Sequence, residues 1–214
     1  MNTLQKQFDG QSRYWLEINN SRVTPDVLNF RGREALNEPF TWRIAFTTPQ
    51  RDVAQTDVLL KYASLSMRSG RVVHGIITGF EWLGTTADQT HYAVTLSSRL
   101  SLLNLTRRCA VYQNLSVPEL VEQVLRTHGL EGPDFHFRLE RVYPPRDLIT
   151  QWRETDLAFI RRVLSEVGIW FRSEMNAATQ QETVILGDSQ LNCAFGVSVP
   201  FQEPSGLYDG AEAL

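Results

Sequence analysis

The stretch Val142 to Glu174, VYPPRDLITQWRETDLAFIRRVLSEVGIWFRSE, leaves the chain few ways to fold. Pro144 and Pro145 exclude helix for themselves and bias Tyr143 towards extended backbone. A helix becomes possible once the chain passes Thr155 or Asp156, both good N-cap residues. Glu154 and Asp156 sit where the positive end of the helix dipole favours acids. Leu157, Ile160, Val163, Leu164 and Val167 then recur at helical spacing as one apolar stripe. Gly168 supplies a left-handed stop, and Ile169, Trp170 and Phe171 follow as the start of a strand.

The first half of the chain has a different grammar. Tyr14, Leu16 and Ile18 alternate with polar neighbours, and Phe40, Trp42, Ile44 and Phe46 do so more cleanly, the period of a half-buried antiparallel strand. Ala63, Leu65 and Met67 repeat the pattern, and Ser69-Gly70 predicts a hairpin turn into a strand over Arg71 to Trp82. Gly75 and Gly79 inside that strand predict bends or bulges. After a polar loop, Gly84 to Thr90, the alternation returns at Tyr92, Val94 and Leu96. Six or seven short strands in the first hundred residues favour a closed barrel or a sandwich.

Near Ser101 the pattern changes. Ser116-Val117-Pro118-Glu119 is a capping-box signature, followed by Leu120, Val121, Val124 and Leu125 as a buried stripe and by Gly129 as a stop. Phe135, Phe137 and Leu139 predict a strand over Asp134 to Val142. A polar loop over Met175 to Glu182 leads to a strand at Val184-Ile185-Leu186, with one more expected at Val197 to Phe201. The two short, glycine-stopped helices and these strands read as a compact α+β unit behind an all-β one.

Little in the chain points to chemistry. The net charge of −3 over 214 residues gives no electrostatic reason to expect nucleic acid or an anionic membrane as partner. No apolar run approaches the ~20 residues of a spanning helix, and the N-terminus lacks a signal-peptide pattern. Cys109 and Cys193 fall in no motif and are expected as reduced, buried thiols of a cytoplasmic protein, with a single disulfide as the alternative. His74, His91, His128 and His136 are dispersed and expected to be structural. Glu154 and Asp156 could be a carboxylate pair, but first-turn acids paired with Arg146 or Arg153 is the better reading. Arg107-Arg108 and Arg161-Arg162 read as solvated faces or intersubunit pairs. Trp15, Trp42, Trp82 and Trp170 read as core or interface anchors before a sugar platform. No catalytic, cofactor-binding or metal-ligating set is expected.

The residues of the 142–174 stretch also carry a resemblance. Tyr143-Pro144, Arg146-Asp147, Gln151, Glu154 with Asp156, Phe159 with Arg162, Gly168-Ile169, Trp170 and Phe171 resemble the hub segment of VgrG proteins, the spike-tip proteins of type VI secretion. Contractile-phage baseplate hub and late control protein D are relatives. Gly32-x-Glu34 with Leu36-Asn37-Glu38-Pro39-Phe40 is similar to the family's early pattern, with Asn37 in place of serine. Val73-His74-Gly75-Ile76-Ile77 is similar to its "HGIV" strand.

The resemblance implies a mainly β fold with an α+β part. An antiparallel β-barrel would occupy residues 1–105, and an α+β hub segment with two short helices residues 106–178. A truncated second barrel would start within 179–214 and end in a flexible tail. It implies no enzyme and no cofactor. It implies instead a homotrimer that docks on the hexameric tube protein Hcp, carries effector or adaptor proteins, and assembles in the cytoplasm before the contractile apparatus exports it without a signal peptide. Trp152 would be a subunit-contact residue. The alternatives are the hub of a contractile phage or tailocin, and a carbohydrate-binding β-domain.

Overall fold

The computed structural model describes residues 14–193. The expected strand at Val197 to Phe201 and the tail that follows lie outside the described residues. Strands β1 (Trp15–Ile18), β2 (Asp26–Ala35), β3 (Glu38–Thr48), β4 (Tyr62–Ser66), β5 (Val72–Thr85) and β6 (Thr90–Ser97) form one antiparallel sheet. Their order is β1-β4-β5-β6-β3-β2. The sheet curls until its two edge strands, β1 and β2, approach one another. Inside the curl lie Leu16, Phe40, Trp42, Ile44, Phe46, Leu65, Ile77, Val94 and Leu96. These are the period-two residues, because alternate side chains of a strand share a face.

β2 has no counterpart in the expected strand list, and a bulge explains why. The register shifts between Val27, opposite Phe46, and Asn29, opposite Ala45, so Val27 and Phe30 both face inward although three residues apart. A bulge of this kind breaks the alternation that sequence reading relies on. The same happens in β5, where a shift between Ile77 and Gly79 turns Ile77 and Phe80 to the same side. The bulge expected near Gly79 is present. Gly75 serves another purpose: a Cβ there would stand 2.5 Å from the Ser97 carbonyl oxygen, so the glycine permits a close approach of β5 to β6.

From Arg99 the chain builds a second core. A 3-10 turn, Arg99–Asn104, leads to β7 (Arg107–Tyr112), α1 (Val117–Thr127), β8 (Phe135–Arg138), β9 (Ile149–Thr155), α2 (Asp156–Val167), β10 (Trp170–Asn176) and β11 (Gln181–Gly187). Leu100 and Leu103 already pack in this core with Leu120, Val124, Phe159, Ile160 and Val163. Both helices begin and end as expected. Ser116 and Glu119 form the reciprocal capping box, and Thr155 caps α2 through the Ala158 N–H. Gly168 ends α2 in the left-handed conformation at φ 72°.

β7 and β9 make a two-stranded ribbon, and β10, β11 and β8 a three-stranded sheet in that order. The polar loop expected over Met175 to Glu182 is shorter, since β10 runs to Asn176 and β11 starts at Gln181. The expected division at residue 179 therefore falls in a hairpin turn. β11 is the central strand of the small sheet, antiparallel to β10 and parallel to β8, and through Gly187 the chain is still completing the α+β unit.

Twice, a glycine faces a tryptophan across an antiparallel pair. Gly32 is opposite Trp42 and Gly187 opposite Trp170. A Cβ on Gly32 would stand 2.3 Å from the Trp42 ring, and one on Gly187 2.5 Å from that of Trp170. Each indole lies flat over the bare backbone of its partner strand. Gly32→Ala is expected to destabilise the protein by about 1–3 kcal/mol, because the added methyl would displace the buried Trp42 ring. In a Trp42→Leu background the same substitution should cost much less, and chemical denaturation of the four proteins of that cycle measures the difference.

Candidate functional site: buried polar networks between the elements

The α+β unit is organised around the first residue of α2. Asp156 is buried, and its carboxylate collects three donors from three other elements. Arg108 Nε on β7 is at 2.6 Å, Gln151 Nε2 on β9 at 2.7 Å, and His128 Nε2 at the end of α1 at 2.6 Å. Burial alone would push this carboxyl up. The hydrogen bonds from His128, Gln151 and Arg108, with the Arg108 charge, outweigh burial and hold it below the usual carboxylate range. Arg108 is therefore not a solvated cation. His128 is structural, as expected, but its partner is a carboxylate besides the helix terminus. Gln151 is fully buried, and its Oε1 has no partner among the described residues.

The ion pairs of the acids differ from those expected. Glu154 bonds Arg162 at 2.6 Å, Arg162 reaches Glu166 at 3.0 Å, and Glu166 bonds Arg146 at 2.6 Å. Arg162 also donates to the Thr150 carbonyl at 2.9 Å, so this chain of charges fastens α2 along β9. Glu154 and Asp156 are thus held in separate networks and do not face one another across a cleft. Phe159 is fully buried, stacked on Tyr112 at 5.5 Å. Tyr143 donates to Asp188 Oδ2 at 2.9 Å, and the same carboxylate accepts the Glu140 and Arg141 N–H groups. Burial would raise the Asp188 carboxyl, but these donors and the Arg141 charge lower it to about 2.

The early motif residues lie in the first unit, and the structure gives each a task. Glu34 accepts the Trp42 indole N–H at 3.0 Å and a two-oxygen contact from Arg71, whose guanidinium lies over the same indole. Gly32, Glu34 and Trp42 are thus one packing device. Phe40 is buried in the sheet core, while His74 is buried at its margin, where burial lowers its pKa. The His74 N–H donates to Met175 Sδ, which ties β5 to β10.

Asn37 and Phe171, both in the family-like motifs, join the two units, and Glu182 and Arg99, which the sequence did not single out, form a network beside that joint. Asn37, at φ 62° in the β2–β3 turn, donates its N–H to the Phe171 carbonyl and accepts the Phe171 N–H on Oδ1, both at 2.9 Å. A side chain that tolerates the left-handed conformation and offers an acceptor suits this turn. Glu182 on β11 accepts the Arg99 N–H at 3.0 Å and the Ser173 hydroxyl at 2.5 Å. The Arg99 guanidinium bonds Asp134 and the Gly129 carbonyl, each at 3.0 Å.

The tryptophans and cysteines are partly as expected. Trp42 is buried, but Trp15, Trp82 and Trp152 are exposed. Both cysteines are free and exposed, against the expectation of buried thiols. Cys109 lies on the outward face of the β7–β9 ribbon, which is exposed among the described residues. Among the described residues no three His, Cys, Asp or Glu side chains converge where an ion could sit, and no helix is long and apolar enough to cross a membrane.

These carboxylates make stability depend on pH. Asp156 and Asp188 have folded pKa values below their unfolded ones. Their contribution is therefore complete above about pH 4 and is lost as pH falls through the folded values. Asp188→Asn should lower the urea midpoint at pH 7, and the deficit should shrink steadily as pH falls towards 2. A deficit that stays constant across that range would contradict the assignment.

The comparisons with known proteins agree with this architecture. Residues 33–214 match the phage tail baseplate hub (GPD) family. The type VI secretion system spike protein VgrG5 of Pseudomonas aeruginosa is 36% identical over 182 residues, which is 84% of this chain and 23% of that protein. In structure, the E. coli c3393 protein, described as a component of the type VI secretion system similar to the T4 tail proteins gp27 and gp5, superposes with a TM-score of 0.84 at 40% identity. The match covers 87% of this chain and 52% of that one. A 43 kDa tail protein of prophage MuSo2 from Shewanella oneidensis shares the fold at 10% identity, with a TM-score of 0.58 over 81% of this chain and 52% of that one. The chain thus spans about a quarter of the curated relative and half of the solved one. On the sequence match and the fold together, it belongs to the phage tail baseplate hub family, on the branch whose curated relatives are type VI secretion spike proteins.

Proposed function

We propose that this chain is the N-terminal hub part of a type VI secretion spike, with a mechanical role. The observation that carries the reading is the 40% identical match, over 87% of this chain, to a type VI secretion component. The build of the protein supports it. Two cores are tied by Asn37 with Phe171 and by Glu182 with Ser98, and the polar side chains are spent on holding elements together. In this reading the protein is not an enzyme. Three copies form a trimeric hub whose barrels face a hexameric tube ring of Hcp, because a tandem barrel in a trimer presents six similar surfaces. Residues 14–98 serve as the first barrel and residues 99–187 as the α+β unit beside it. The protein assembles in the cytoplasm and leaves the cell with the tube, and effector or adaptor proteins travel on it.

The hub of a phage or tailocin is the second reading, supported by the fold shared with the prophage tail protein. The higher identity to the secretion relatives favours the first reading. The carbohydrate reading finds less support, since Glu154 is neutralised by Arg162 and Trp42 is buried. Analytical ultracentrifugation of the full-length protein should show a trimer, and mixing with tube rings should give a co-sedimenting complex. A monomer that ignores the rings would overturn the proposal.

A further inference from the structure

The ribbon of β7 and β9 has one face packed against the second core and one exposed among the described residues. Arg108, Ala110 and Tyr112 turn inward, while Arg107, Cys109 and Val111 turn out, beside Thr150 and Trp152. Trp152 is 68% exposed and Val111 61%. The ladder carries a bulge between Arg108 and Ala110, so Trp152 and Arg153 together oppose Cys109. Arg153 takes φ 51°, a conformation that costs a side-chain-bearing residue energy and persists only where the surroundings impose it. The bulge keeps Arg153 on the bare side, with its guanidinium 5.4 Å from the centre of the Trp152 ring. Arg107 reaches the Arg153 carbonyl at 3.4 Å, which brings a second guanidinium alongside.

The charge on this face is unusual for the unit. Between Arg99 and Gly187, nine of the eleven arginines have a carboxylate partner. Arg107 and Arg153 are the two without one among the described residues; Arg153 lies over the exposed indole, and Arg107 bonds the Arg153 carbonyl. Two guanidiniums grouped at one end of a tryptophan face, with Val111 on the same face, complement a surface that brings carboxylates and an apolar side chain together.

We propose that the outer face of the β7–β9 ribbon, centred on Trp152, docks a protein segment carrying two carboxylates close to an apolar side chain. A nucleic acid fits less well, since two cations neutralise only two phosphates and the chain's net charge is −3.

The test is fluorescence anisotropy with the whole chain and short labelled peptides centred on Glu-Val-Glu, Gln-Val-Gln or Glu-Ser-Glu, with oligo-dT as a further probe. The Glu-Val-Glu peptide should bind roughly tenfold more tightly than either control peptide, and raised salt should weaken it. Trp152→Ala and Arg107→Glu should each weaken it about fivefold or more, while Trp82→Ala, which removes an exposed indole on β5, should leave it unchanged. Arg107 is exposed at a strand end, so its substitution should leave the melting temperature intact and keep the test valid if Trp152→Ala misfolds. Equal binding of the three peptides, indifference to Arg107→Glu, or tighter binding of oligo-dT would overturn the proposal.

Discussion

One buried carboxylate, Asp156, decides how the second half of this protein is put together. An ionised acid removed from water costs several kcal/mol unless donors surround it, and no single element here could supply enough of them. Arg108, Gln151 and His128 come from β7, β9 and the end of α1, and each reaches Asp156 only when all of these elements are docked. The requirement to satisfy one charge therefore specifies the relative placement of a ribbon and two helices, which apolar packing alone would leave looser. Phe159 and Tyr112 then fill the space beneath.

A similar economy governs the joint between the two units. Asn37 and Phe171 exchange two hydrogen bonds as though they were neighbours in a strand, and the buried Glu182 takes a donor from Ser98 at the end of the first unit. Burial raises the Glu182 carboxyl even though Ser173, Ser98 and Arg99 donate to it. Its ionised form is thus held at some cost, by contacts of which the one from Ser98 exists only when the units are together. A joint made of directional bonds resists sliding in a way that an apolar contact does not.

Much of this was legible beforehand because it is local. The capping box at Ser116, the Thr155 cap, the Gly168 stop and the alternation through Phe40 to Phe46 each depend on neighbours within a few residues. All of them appear in the structure. The strand β2 was hidden because its bulge puts Val27 and Phe30 out of phase. The partners of Glu154 and Asp156 were misjudged for a different reason. Arg146 and Arg153 are close in sequence, whereas the chosen partner Arg162 lies two helical turns on and Arg108 lies on another strand. The ion-pair partner of a charge is set by the docking of elements, which sequence distance does not encode. Asp188 follows a strand in a short polar turn and carries no signal of its own beyond that.

The residue order by itself determined the fold class, the ends of both helices and the family, because these rest on periodicity, caps and a motif spread along the chain. The tertiary structure alone decided which glycines lie beneath tryptophan rings and which acid each arginine meets. It also decided that β11 sits between β10 and β8, and that Trp152 stands outward with the Arg153 guanidinium over its ring. The physical reason is that burial, close approach and charge pairing are properties of surfaces brought together by folding. A sequence lists those surfaces without saying which will meet.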